Sequence, residues 1–508
     1  MNVAARRIFD GKEFKNGGRI QLKEGKIRGA EPGVQQGAAL VTPGFIDSHL
    51  HMLNLGLAMQ GLKLNHCSNR QEFSQALADY ARSFPGLWLI GRGWDQNRLG
   101  FIPDRMLLDA LCPQRPVVLT RTCGHVVAAS SKALELAGIT ANSKIAGGVI
   151  KLDAAGEPTG ILEENAVGLL LAAIPPPEPA ILYSALVEAI KYAYSCGITG
   201  VHSDDRGQAG DYLSLWELYA KVTRSYPLRA QLHYGISSPQ ELRDYIRVAG
   251  QLPDTDFVYK GAAKLFLDGS LGAGTAALLA DYSDNPGNRG VLVYADEVVK
   301  EIVTIAEENG VQLAVHAIGD RATEQFLRVL AQVRGGCNPG PVRHRIVHFQ
   351  VVNKAQIQRA RALGLAIEIQ PVFLRTDMHW AESRLGHERL QTSYCWQTMD
   401  RAGLFLSGGS DSPVEDINPW LGVATAVSRR DGSGKFADAW EQDESLRLER
   451  ALELFTTAPA GLAGWNELGR IAQGSIADLA VYSEFDHVNL SLNKPDQVFV
   501  QGNIVYQR

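Results

Sequence analysis

The sequence predicts an α/β chain built on a closed parallel (β/α)8 barrel, the TIM barrel. A small composite β-sandwich from both termini and an inserted α/β subdomain complete the expected architecture. Three observations predict it. The middle of the chain repeats a rhythm of short apolar strand, polar end and amphipathic helix, and strands alternating with helices imply a parallel sheet. Eight strand candidates in a chain of 508 residues imply a sheet closed on itself. Both ends of the chain read as short strands and hairpins too small to bury a core alone, so they are expected to pair with each other.

In chain order, residues 1–41 form the N-terminal part of the sandwich. Arg19-Ile20-Gln21-Leu22 alternates, and Asp10-Gly11 and Glu24-Gly25 are turn signals. Residues 42–60 hold the first barrel strand, Gly44–His49. Residues 61–180 break the rhythm and read as the inserted subdomain. They carry Trp88-Leu89-Ile90-Gly91-Arg92-Gly93-Trp94-Asp95, a strand at Pro116–Arg121, Cys123-Gly124-His125 and a helix at Ser130–Ala137, and end at the proline-rich joint Pro175–Pro179. Residues 181–467 complete the barrel. Strands are expected at Gly197–Ser203, Leu228–Gly235, Ala262–Asp268, Val311–His316, His344–His348, Leu365–Gln370 and Leu404–Gly408, with helices such as Pro239–Gly250 and Arg321–Arg334 between them. Residues 468–508 return to the sandwich with a strand at Ala477–Tyr482 and a hairpin around Gly502.

Composition narrows the function classes. A net charge of −5 and the lack of any Lys/Arg run argue against nucleic-acid binding. The six cysteines are scattered without a CxxC pair, which suits reduced thiols in a reducing compartment. The opening MNVAARRIFDGKEF turns polar too soon for a secretory signal. The apolar stretch Ala166–Ile174 is half the length of a membrane span. A cytoplasmic protein acting on a small molecule, without a membrane or nucleic-acid partner, is the expectation.

Barrel enzymes keep their chemistry at the C-terminal ends of the strands. Strand one ends in His49 and His51, and residues two apart in an extended strand share a face. Strand four carries Lys264 in an apolar run and ends at Asp268; strand five ends in His316 and strand six in His348. Strand seven offers Gln370, and strand eight ends in Asp411. His202 closes strand two in the same manner. Each has a structural reading by itself: a satisfied core histidine, a snorkelling lysine, a turn or capping aspartate. Together, four histidines and an aspartate at one end of one barrel are a nitrogen–oxygen donor set suited to zinc or a similar divalent ion.

An ordered series of segments carries a resemblance over nearly the whole chain: GFIDSHLH (44–51), KLFLDGSLGAGTAAL (264–278), HAIGDRA (316–322), RIVHFQ (345–350), GLAIEIQPVFLRTD (364–377), GGSDSPVEDINPWLGVATAVSR (408–429) and GRIAQGSIADLAVYS (469–483). The sequence resembles the amidohydrolase superfamily of metal-dependent hydrolases, and within it the branch of N-substituted formamide deformylases. The resemblance implies metal ligands at His49, His51, Lys264, His316, His348 and Asp411, with Asp411 also the catalytic base. It implies one or two ions, zinc being the expected metal. Lys264 is either carboxylated and bridging two ions, or unmodified beside one. Trp94, Arg121, His125, Asp268 and Gln370 are the candidate substrate contacts, with Asp268 a candidate to orient a neighbouring ligand. Val347 stands where the pattern has an acidic residue, and Cys123 where the insertion has Asp before Gly-His.

The expected reaction is hydrolysis of a C–N bond (formamide, N-acyl or cyclic amide) by water activated at the metal. A hydrolytic deaminase, or an ester or lactone hydrolase, is the alternative on the same site. Mononuclear deaminases of this kind resemble the pattern but lack the strand-four lysine. A catalytically silent metal-binding regulatory protein is the alternative from another class. Barrel enzymes of this type are often homo-oligomers, although no stretch here reads as an interface.

Overall fold

The computed structural model describes residues 1–33, 36–122, 126–145, 148–253, 255–432 and 439–508. Two compact units divide the chain: Met1–Leu55 with Leu186–Arg508, and Gly56–Ala185.

In the first unit the described residues form a parallel sheet of eight strands: β1 (Phe45–Leu50), β2 (Ile198–Asp204), β3 (Arg229–Gly235), β4 (Val258–Phe266), β5 (Leu313–Ala317), β6 (Arg345–His348), β7 (Ala366–Ile369) and β8 (Phe405–Gly408), paired in that order. The apolar runs form strands because both faces of a parallel sheet are covered. β2 is buried at every position. The intervening helices carry their own start signals. Ser238 caps Pro239–Ala249, with proline in the first turn, and Asn353 and Gln356 form a reciprocal capping box on Lys354–Ala362.

Side-chain and loop bonds draw the two ends of this sheet together. The Asp47 carboxylate on β1 accepts the Ser410 N–H at 3.1 Å, and the Asp411 N–H donates to the His49 carbonyl at 2.8 Å. Gly409 makes that approach possible, since a Cβ there would lie 2.7 Å from the His49 nitrogen. The Gly-Gly-Ser-Asp-Ser run is thus the clasp of the barrel.

The two termini share one seven-stranded sheet. Its central strand, Leu40–Pro43, pairs antiparallel with Leu479–Tyr482 and parallel with Asn2–Phe9. Val3, Ile8, Ile20, Leu479, Val481 and Phe499 bury a common core that neither end supplies alone. The second unit has its own six-stranded sheet, with Val117–Arg121 among its inner strands. Val117 and Leu119 face a core with Phe73, Leu77 and Trp94, whereas Val118 faces another with Val127, Leu134 and Leu162. That alternation is the period of two expected of a sheet buried on both faces. No helix among the described residues is long and apolar enough to cross a membrane.

Candidate metal centre

β1 delivers His49 and His51 to one side, with Leu50 buried on the other. The His51 Nδ1 donates to the Asp204 carbonyl at 2.6 Å, which makes its Nε2 the nitrogen that offers a lone pair when the ring is neutral. That Nε2 lies 3.1 Å from Asp411 Oδ1, and the His49 Nε2 lies 3.4 Å from the same oxygen. The Lys264 Nζ is 3.1 Å from the His49 Nε2. The His316 and His348 rings are 4.5 Å apart between centroids, and the His348 ring is 5.8 Å from that of His49. His316 turns its Nε2 to the Gly269 carbonyl at 3.1 Å, so its Nδ1 is the free donor.

His348 reaches this group by departing from strand geometry. Val347 packs inside the barrel with Ala262 and Ala314, so alternation assigns His348 to the outer face. A φ of +77° at His348, followed by +52° at Phe349, turns the ring back towards His316. Asp411 also sits in the left-handed region, at φ +56°. Three non-glycine residues held there around one group of donors is the kind of local strain that collects at functional sites.

The donor set fits a divalent cation. Burial pushes the imidazolium form down at His49, His316 (to about 3) and His348, so these rings are neutral lone-pair donors. Burial also lowers the Lys264 ammonium, opposed by the charges of Asp204 and then Asp411. Burial works against the His51 imidazolium too, but the Asp411 carboxylate outweighs it and raises the group to about 9. Asp411 itself is held well below the carboxylate range: burial opposes ionisation, and the surrounding histidines overcome it. Among the described residues, the Nδ1 atom of His348 is buried without a partner. A buried lone pair without a donor is costly, and a cation is one way to meet it.

A second trio, His202, His233 and Glu368, also has ligand atoms close together. Here the positive charge is built in. The Arg345 Nη1 is 2.9 Å from Glu368 Oε1, 2.9 Å from His202 Nδ1 and 3.4 Å from His233 Nε2. Its other nitrogens bond Gln231 and Gln312. Burial opposes the ionised form of Glu368, but Arg345 together with His202 and His49 more than offsets that and brings it to about 2. His202, a strand-end histidine by sequence, therefore belongs to the barrel interior rather than to the six-residue group.

The remaining candidates are distributed as follows. Asp268 accepts backbone N–H bonds from Ala277, Ile318 and Gly319, tying the loops after β4 and β5 together 3.4 Å from His316. Burial raises its carboxyl to about 7. Gln370 donates to the Glu368 carbonyl and lines a small cavity with His348, Gln350, Phe373, Tyr394 and Trp396. Trp94 is buried in the core of the second unit, its indole N–H donated to the Leu119 carbonyl at 2.7 Å, which gives it a packing role rather than a substrate contact. Arg121, in the same unit, donates to Gln96 at 2.7 Å. Cys123, Gly124 and His125 lie outside the described residues.

Sequence reasoning passed over three features. Asp204 holds His51 through its carbonyl. Phe266 and Phe373 extend the row of rings, 5.2 Å from His316 and 5.8 Å from His348. Tyr394 donates to Asp377 at 2.6 Å behind the cavity that His348 lines. Asp204 carries the same signal that found the others, two residues beyond His202 on its strand, whereas Phe266 is one apolar residue in an apolar run.

Comparison with known proteins shows the family to which this fold belongs. A family model described as "Amidohydrolase family" matches residues 38–506. A Bacillus subtilis (strain 168) protein, "Putative amidohydrolase YtcJ", is 36% identical over 92% of this chain and 89% of its own length. The N-substituted formamide deformylase of Arthrobacter pascens is 27% identical over 97% of this chain and 94% of its own. Among solved structures, an uncharacterized metal-dependent hydrolase from Pyrococcus furiosus superposes with a TM-score of 0.78 at 26% identity, covering 95% of this chain and 99% of that one.

Proposed function

The chain belongs to the amidohydrolase family, and on that premise we propose that it hydrolyses a C–N bond in a small amide: a formamide, an N-acyl amine or a cyclic amide. The observation that carries this reading is Asp411 Oδ1, shared between His49 and His51 beside Lys264, with His316 and His348 adjoining. These six residues would hold the metal, and nitrogen and carboxylate donors favour zinc. When bound, the ion supplies Lewis acidity and makes water a nucleophile near neutral pH.

The chain's own residues supply the rest. Asp411, ionised throughout the neutral range, is the proton acceptor: its carboxylate takes a proton from the attacking water and returns it to the leaving nitrogen. The Asp204 carbonyl fixes the His51 tautomer, and the loop bonds of Asp268 fix the segment from which His316 projects. Lys264 in its neutral form is the nucleophile that carboxylation by carbon dioxide requires, and burial shifts the group in that direction. The formamide deformylase likeness supports the acyl side of the reading.

The test is metal content together with an Asp411→Asn variant on a panel of formamides and N-acyl amines. Bound metal in the wild type and a loss on the order of 10²–10⁴-fold in the variant are expected. No bound metal after a metal-replete preparation sinks the reading.

A further inference from the structure

Asp204 is the last residue of β2. His202, two residues earlier, meets Arg345 inside the barrel, so Asp204 shares that inward face one step nearer the open end. The backbone of Asp204 is pinned to the metal-site histidine His51 by the 2.6 Å bond to its carbonyl. Its carboxylate stands over Gly235, where a Cβ would come 3.5 Å from Oδ1 and 3.8 Å from Oδ2. Gly235 is in register with Lys264 on β4, which sets the carboxylate against β3, the strand next to the one that carries Lys264.

Asp204 is 9% exposed, and no donor among the described residues hydrogen-bonds its carboxylate, which faces solvent. The neighbouring cation, Arg206, bonds the Gly235 carbonyl and Glu241 instead. The carboxylate oxygens keep contact with solvent, so they are open to a ligand rather than sealed in the barrel interior. Its carbonyl already accounts for the His51 contact, and a carbonyl is common to every residue type. The acidic side chain is therefore unexplained by the fold.

We propose that Asp204 is a substrate-binding carboxylate that accepts an N–H or ammonium hydrogen bond from the amine portion of the substrate. The inference rests on the C–N hydrolysis reading and narrows its substrate class. The site selects neutral amides with an N–H, and substrates bearing an amino group. It disfavours N-acyl amino acids, whose carboxylate lies next to the N–H and would meet Asp204.

Calorimetry on the metal-loaded protein tests this with n-butylammonium and butyrate as probes. The wild type should bind butylammonium in preference to butyrate, and Asp204→Asn should weaken butylammonium at least tenfold at unchanged metal content. A preference for butyrate in the wild type, which needs no variant, overturns the proposal. So does equal butylammonium affinity in the two proteins. Kinetics separate the two readings. With N-butylformamide and butyl formate, Asp204→Asn should lower kcat/KM for the amide at least tenfold more than for the ester, and an equal loss on both overturns the inference. If the wild type hydrolyses no amide but binds butylammonium through Asp204, the hydrolysis reading fails and the carboxylate site stands.

Discussion

At the scale of single residues, Asp411 is the pivot. It occupies the left-handed region, where an aspartate pays less than a branched residue, and one of its oxygens faces both histidines of β1. That arrangement has a pH consequence. The carboxylate raises His51 to about 9, above its ordinary 6.5, so below that value the pair holds a proton that a cation must displace. Metal uptake should therefore tighten as pH rises from 6 towards 9, by up to about tenfold per unit for one displaced proton. Chelator competition at several pH values checks it, and an affinity independent of pH would contradict it. The sequence made His49, His51 and Asp411 conspicuous, because a polar residue ending an apolar strand stands out. It did not make the route of His348 legible. That ring comes inward only through a positive φ, and neither histidine nor the phenylalanine after it announces one.

At the scale of elements, the closure between β1 and β8 depends on a residue with no side chain. A Cβ on Gly409 would meet the His49 backbone, which itself carries a metal-site ring. Gly409→Ala should cost about 1–3 kcal/mol of stability and lower metal occupancy together. Thermal unfolding and metal analysis on the same sample check this, and a stable variant with full occupancy would show the clasp to be dispensable. The barrel strands themselves were readable. The expected Leu365–Gln370 appears as Ala366–Ile369, and Leu404–Gly408 as Phe405–Gly408. The differences are end residues, where hydrogen bonding fades before hydrophobicity does. The interior cluster was not readable: Arg345, in an apolar strand context, gave no sign that it would stand among His202, His233 and Glu368.

At the scale of the whole molecule, the donors come from strands spread along the chain: His51 and Asp411 are 360 residues apart. An ion that binds them all binds the folded chain and not the unfolded one. Removing it should lower the thermal transition, and adding zinc at about 100 times its dissociation constant should restore about 2.7 kcal/mol. Scans with and without chelator, at fixed protein concentration, check this. An unchanged transition would mean that the group of six holds no ion in solution.

The sequence by itself determined where the strands lie, which ends carry polar chemistry, and that the two termini must pair. These are one-dimensional properties: a strand covered on both faces must be apolar, and a short strand without a partner has no core. Only the tertiary structure decided which polar residues share a centre. It separated His202 from His49 by the position of a guanidinium, turned His348 inward against strand alternation, and left the Asp204 carboxylate without a protein donor. Those outcomes depend on how a barrel closes and which backbone angles the closure forces, and neither is written in the spacing of residues along one strand.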